Sequence, residues 1–221
     1  MNGWWVSDYW NSPSFGPAFV VGWAVWVIGS IVLHELSHGW AALRLGDTTP
    51  RDLGHMTWNP LVHMGPWSLV AFAVVGIAWG MMPVDPSRLR GRHGDAVVAA
   101  AGPAMNIALG VVSAIGLVVW MVIGAGVGEP LRTNLAMFFR LGVILNIVLA
   151  VFNLLPVFPL DGGRIAASFS PAYARFAYGE NGQWLMLGGF ILFFMFGLDY
   201  VWLLAVLAAD GVELIGAAVA P

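Results

Sequence analysis

The chain has 221 residues, of which 59% are hydrophobic and only 10% charged, with a mean hydropathy of +0.81. Soluble globular domains run near 25% charged, so the solvent for much of this chain is lipid. A net charge of −3, with nine basic residues that are all Arg, argues against a nucleic-acid partner, and the absence of Cys excludes disulfides, thiolate metal ligands and a thiol nucleophile.

The N-terminus carries Asp8 and no basic residue before its first apolar run, so no cleavable signal peptide is expected. Trp4, Trp5, Tyr9 and Trp10 suit an interfacial aromatic belt. About 20 apolar residues in a helix cross about 30 Å of hydrocarbon. Residues 17–43 meet that length and hold His34, Glu35 and His38 within them. Residues 66–82 form a shorter apolar run, bounded by prolines and containing Gly76 and Gly80. Two more spans are expected over about 95–125 and 135–155. A last apolar stretch, from Trp184 past Asp199 to about residue 209, reads as one span or as a shorter span followed by an interfacial helix, with Asp199 and Asp210 marking helix ends. The expected fold is an all-α polytopic membrane protein with four to five transmembrane helices and a re-entrant element near 66–82. It forms one membrane domain over 1–221, with its core at about 17–165 and further membrane helices at about 183–217.

Arginine placement tests the topology. If 66–82 crosses the membrane, four arginines fall on one side and five on the other, with no bias. If it dips in and returns, Arg44, Arg51, Arg88, Arg90, Arg92, Arg164 and Arg175 share one face, and only Arg132 and Arg140 lie on or near the other. Cytoplasmic loops carry the positive excess, so the re-entrant arrangement is favoured, with the N-terminus outside. Re-entrant backbone needs burial in protein or a wet cavity, so the element is expected to cover a polar cavity.

His34-Glu35-Leu36-Ser37-His38 reads H-E-x-x-H, a pattern with a chance expectation of about 0.002 in a chain of this composition. On a helix, positions i and i+4 share a face, so both imidazoles reach one ion with Glu35 beside it. Histidine nitrogens suit Zn²⁺, whose catalytic sites take three protein ligands and a water, and an adjacent glutamate takes that water's proton. Three ionisable groups inside an apolar span are costly, about 2.5–3.5 kcal/mol each for charged types near the bilayer centre, which points to function. No His or Glu follows His38 before His55, so the third ligand is expected to be Asp161. It lies in a Pro- and Gly-broken segment, residues 153–164, that ends the fourth span. The re-entrant topology puts the exits of the first and fourth spans on the same face, where Asp161 meets the two histidines. His34 lies about 25 Å into its span at 1.5 Å per residue, so the site is expected to open towards the cytoplasm.

At this point the chain resembles the site-2 protease family of intramembrane zinc metalloproteases, in its short bacterial form without a PDZ or CBS domain. The resemblance is carried by His34-Glu-Leu-Ser-His38, Asn59-Pro-Leu-Val-His63, Pro83-Val-Asp-Pro86, Ala101-Gly-Pro-Ala-Met-Asn106 and residues 153–164, and it covers about three-fifths of the chain. It implies one zinc held by His34, His38 and Asp161, with Glu35 as general base and acid and Asn153 as a hydrogen-bond donor to the substrate or tetrahedral intermediate. Asn153 equally suits a cap on the broken helix, Asn106 a close helix contact, and His63 either a cavity wall or a loop hydrogen bond. The chain departs from the family at Met64-Gly65-Pro66, where Asp is common after the His-hydrophobic pair, and at Met81 and Met82, where Lys is common before Pro-Val. The usual extra span of longer members, ahead of the zinc helix, is also absent.

The implied substrate is a transmembrane helix in the lipid bilayer, cut within or near the bilayer of a bacterial cell. Strand-like backbone near 51–65 is expected to pair with the unwound substrate. Two other readings remain: a membrane metal-binding or transport protein, and an inactive relative that binds transmembrane helices. Glu35 separates transport from hydrolysis, since transport has no need of a general base.

Overall fold

The computed structural model describes residues 4–220, apart from the side chain of Glu180. Among these residues the helices are α1 (Trp5–Trp10), α2 (Gly16–Leu45), α3 (Thr49–Asp52), α4 (Pro60–Val75), α5 (Gly94–Ile123), α6 (Leu131–Asn153), α7 (Asp161–Phe169), α8 (Pro171–Ala177), α9 (Glu180–Phe196) and α10 (Leu198–Val219). Four of them, α2, α5, α6 and α10, are long and apolar enough to cross a membrane. The protein is an all-helical polytopic membrane protein, and its spans fall close to the apolar runs.

α5 packs along α2 and α6, and α10 closes against α5 and α6. Small residues allow these approaches: Gly110 and Ser113 of α5 are buried, as is Gly142 of α6. Arg140 of α6 reaches α10, with one guanidinium nitrogen 2.6 Å from Asp210 and the other 2.9 Å from Glu213. Pairing offsets the cost of a charge within a span. The C-terminal stretch breaks at Gly197 into two apolar helices, and Ala205 and Ala209 of α10 are fully buried, so α10 is packed in the bundle. Asp210 therefore lies inside a helix as an ion-pair partner and does not mark a helix end.

The element near 66–82 is a hairpin with one helical and one extended arm. Asn59 caps α4 by accepting from the Leu61 amide, Pro60 opens the helix, and the backbone breaks once at Gly65 before Pro66 restarts it. α4 ends at Gly76, whose φ of 79° turns the chain back, a conformation open to glycine at little cost. The returning arm is extended, and it pairs with α4 in antiparallel order. Trp79 exchanges two hydrogen bonds with the Ser68 hydroxyl, and the Met81 amide donates to the His63 carbonyl. Helical residues therefore begin at Pro60, and α3 and turns occupy 49–59, so the strand-like edge expected near 51–65 is not formed. The extended backbone lies on the returning arm instead.

At the tip of the hairpin, tryptophans supply donors to the last carbonyls. Indole N–H groups of Trp4 and Trp5 reach the Ala73 carbonyl, and that of Trp23 reaches the Gly76 carbonyl. The base of the hairpin lies beside the exit of α2. Arg90 donates its amide to Leu45, and the fully buried Asp47 accepts from the Asp85 amide and from the amide and hydroxyl of Thr49. Burial alone would raise the Asp47 pKa, but these three donors hold it below the usual carboxylate range. Arg164 of α7 binds Asp95 of α5 at 2.6 Å. The end of α2, the start of α5 and the start of α7 thus share one face of the molecule.

Candidate metal centre

His34 and His38 lie one turn apart on α2, with ring centroids 4.6 Å apart and nearly perpendicular. Asp161 is the first residue of α7, delivered by the broken segment that follows α6. His34 Nε2 and His38 Nε2 stand 3.0 Å apart, and each is 3.2 Å from Asp161 Oδ2. All three residues are buried, between 4% and 7% exposed. Sequence reasoning named these three, and the fold brings them together from opposite ends of the core.

The outer faces of the two rings fix what the inner faces offer. His34 Nδ1 is 2.6 Å from Asn106 Oδ1, and His38 Nδ1 is 2.7 Å from the Val98 carbonyl. Both partners are acceptors, so each Nδ1 carries the proton and each Nε2 a bare lone pair, a tautomer assigned from the partners. Asp161 Oδ2 has no hydrogen-bond donor. Three acceptors within 3.2 Å of one another, with no proton to share, fit a cation and little else. Gly102 of α5 supports this fit. A Cβ added there would stand 2.5 Å from both Nε2 atoms, so only the missing side chain leaves room for an ion beside them. Two nitrogens and a carboxylate oxygen in a buried triangle form a donor set that suits zinc.

The other oxygen of Asp161 faces Arg164, whose Nη1 lies 3.9 Å away while its Nη2 holds Asp95. Glu35, 6% exposed, lies against the returning arm of the hairpin, so that a Cβ at Gly80 would meet its Oε1 at 2.6 Å. The hairpin therefore does cover the site, but closely, and Glu35 is buried with the histidines rather than set in an open cavity. A cavity of about 680 Å³ lies elsewhere, between α1, α2, α6 and α10, with Trp5, Phe19, Trp23 and Trp202 among its walls.

Asn153 ends α6, half-buried, and its amide donates back to the Leu149 carbonyl, one turn earlier, at 2.9 Å. His63 donates through Nε2 to the Thr57 carbonyl, which as an acceptor requires a proton on that nitrogen, so it makes the loop hydrogen bond. Asn106 holds His34. Sequence reasoning missed Asn146 of α6, which is fully buried and accepts from Asn106 Nδ2 at 3.1 Å. The available signal was an asparagine in the middle of an apolar span.

The sequence pattern of Peptidase family M50 matches residues 22–126 and 119–196. The chain belongs to this family. It is the site-2 protease family, and the match takes in both histidines and Asp161. Among its relatives, "Putative zinc metalloprotease YwhC" of Bacillus subtilis (strain 168) is 34% identical over 152 residues, which cover 67% of this chain and 69% of the relative. "Putative zinc metalloprotease Rip2" of Mycolicibacterium smegmatis is 27% identical over 189 residues, covering 82% of this chain and 69% of the relative. "Zinc metalloprotease MJ0392" of Methanocaldococcus jannaschii is 32% identical over 147 residues, covering 65% of this chain and 33% of the relative. No solved structure matches the chain significantly. As an M50 member the protein is a zinc metalloprotease by family, and its His-His-Asp cluster is compatible with that chemistry.

Proposed function

We propose that this chain is an intramembrane zinc metalloendopeptidase that cuts transmembrane-helix substrates within or near the bilayer, in regulated intramembrane proteolysis. The observation that carries the reading is the meeting of three bare acceptors, on His34, His38 and Asp161, beside Glu35, with both histidines on a membrane-length helix. His34, His38 and Asp161 would hold one zinc per chain. When bound, that ion acidifies a water and polarises a peptide carbonyl.

Glu35 takes the proton of the attacking water and returns it to the leaving amine, as general base and then general acid. Asn153 would release Leu149 and donate its amide to the developing oxyanion. Burial of Glu35 and both histidines limits access by bulk water and by any backbone that has not been unwound. The arm over Glu35 must shift for a substrate backbone to enter. Seven of the nine arginines fall at the end of α2, between α2 and α5, or in α7 and α8. We assign the face shared by the end of α2 and the starts of α5 and α7 to the cytoplasm of a bacterial cell membrane, with the N-terminus outside.

The test is cleavage of a transmembrane-helix substrate in proteoliposomes by wild type and Glu35→Gln, with zinc measured in both. Retained zinc with a loss of about 10²–10⁴-fold in cleavage supports the reading. Normal cleavage by Glu35→Gln overturns the mechanism, and zinc transport without cleavage by wild type establishes the transporter reading in its place.

A further inference from the structure

A chain of hydrogen bonds leads from a main-chain carbonyl in α6 to the metal-facing histidine in α2. Asn146 and Asn106 are both fully buried, in spans where a polar side chain without a role is costly. Asn146 Nδ2 donates to the Gly142 carbonyl at 2.9 Å. A carbonyl only accepts, so this bond fixes which end of the amide is nitrogen. Asn146 Oδ1 then accepts from Asn106 Nδ2, which turns Asn106 Oδ1 towards His34 Nδ1. Each link has one direction, and the direction is set at Gly142.

We propose that Asn106 and Asn146 are positioning residues that hold His34 in the tautomer able to bind the metal. The proposal rests on the zinc reading above and extends it to a residue two hydrogen bonds away from the imidazole. Were the Asn106 amide turned over, its N–H would face His34 Nδ1. That nitrogen would then accept, the ring proton would move to Nε2, and the lone pair facing His38 and Asp161 would be lost. Nothing on Asn106 itself prevents the turn. Asn146 prevents it, because its oxygen needs the Asn106 donor, and Gly142 in turn prevents Asn146 from turning. The hydrogen bond at His34 Nδ1 also raises the basicity of Nε2.

Zinc affinity of the full-length chain in detergent, measured by competition with a chromogenic chelator, tests this without reference to activity. Wild type binds one zinc per chain. Asn146→Leu, branched at the same carbon as Asn but without polar atoms, frees the Asn106 amide to turn and weakens zinc about 10–100-fold. Adding Asn106→Asp to that variant recovers most of the loss, because a carboxylate accepts from Nδ1–H whichever way it faces. Wild-type affinity in Asn146→Leu overturns the proposal. Equal weakness in the single and double variants also overturns it, since Asn146 would then serve only α5–α6 packing. Where Leu is not accommodated, Asn146→Ala carries the same comparison. Failure of wild type to bind zinc overturns the site reading itself, a separate result.

Discussion

Gly80 and Glu35 are in contact across the hairpin and the zinc helix, so closely that a Cβ on Gly80 would stand 2.6 Å from Glu35 Oε1 and 2.7 Å from its Cγ. The returning arm is held at this height by Ser68 and by the His63 carbonyl, on either side of Gly80. In Gly80→Ala the arm or the carboxylate must give way. The expected outcome is cleavage reduced about 10²-fold, the cost of misplacing a reacting group by about 1 Å, with zinc content unchanged. Zinc analysis beside a cleavage assay checks both halves, and loss of zinc would show that the arm supports the metal and not only Glu35.

Gly102→Ala should do the opposite. Its methyl group would lie 2.5 Å from both Nε2 atoms, against the lone pairs that face an ion, and α5 cannot retreat without losing the Val98–His38 and Asn106–His34 hydrogen bonds. Zinc is expected to fall from one per chain to near zero, and cleavage with it. Metal content by atomic absorption decides this, and full occupancy in the variant would move the ion away from the focus of these three ligands.

Asp47 gives the hairpin base an acid limit. Its folded-state pKa is lowered, so its contribution to stability is fully present above the unfolded value of about 3.9 and is lost as pH falls through the lower folded value. Asp47→Ala, which strands the half-buried Asp85 and Thr49 donors, is expected to cost about 1 kcal/mol at neutral pH. Thermal melting from pH 6 down to pH 2 would show the gap between wild type and variant closing only below about pH 4.

The tryptophan caps predict how tightly the hairpin tip is held. Trp5→Phe and Trp23→Phe keep aromatic bulk but remove the donors to Ala73 and Gly76. One net hydrogen bond, about 0.5–1.5 kcal/mol, corresponds to a tip that opens roughly 2- to 10-fold more often. A cysteine placed at residue 77 should react correspondingly faster with a thiol label, and an unchanged rate would remove the caps from the account.

Much of this was legible in the residues. His34 and His38 needed only the helical repeat, and Asp161 followed from the arginine bias, which placed the ends of the first and fourth spans together. The hairpin was legible in its prolines and glycines, but strand-like backbone to pair with substrate was expected near 51–65, where Asn59 and Pro60 carry the start signal of a helix. Gly80 and Gly102 were not legible as parts of the site, because what matters at each is the atom opposite, which periodicity does not reveal. Asn146 was hidden for the same reason: its partners come from a helix distant in sequence and from its own backbone.

The two histidines and Asp161 are separated by more than half the length of the chain. During synthesis at about 5–20 residues per second, α2 would leave the ribosome several seconds or more before α7 exists. A nascent chain therefore holds the glutamate and two nitrogens of its centre without the carboxylate that closes it. The centre closes only after α2, α5 and α6 have been made, with α8, α9 and α10 still to follow.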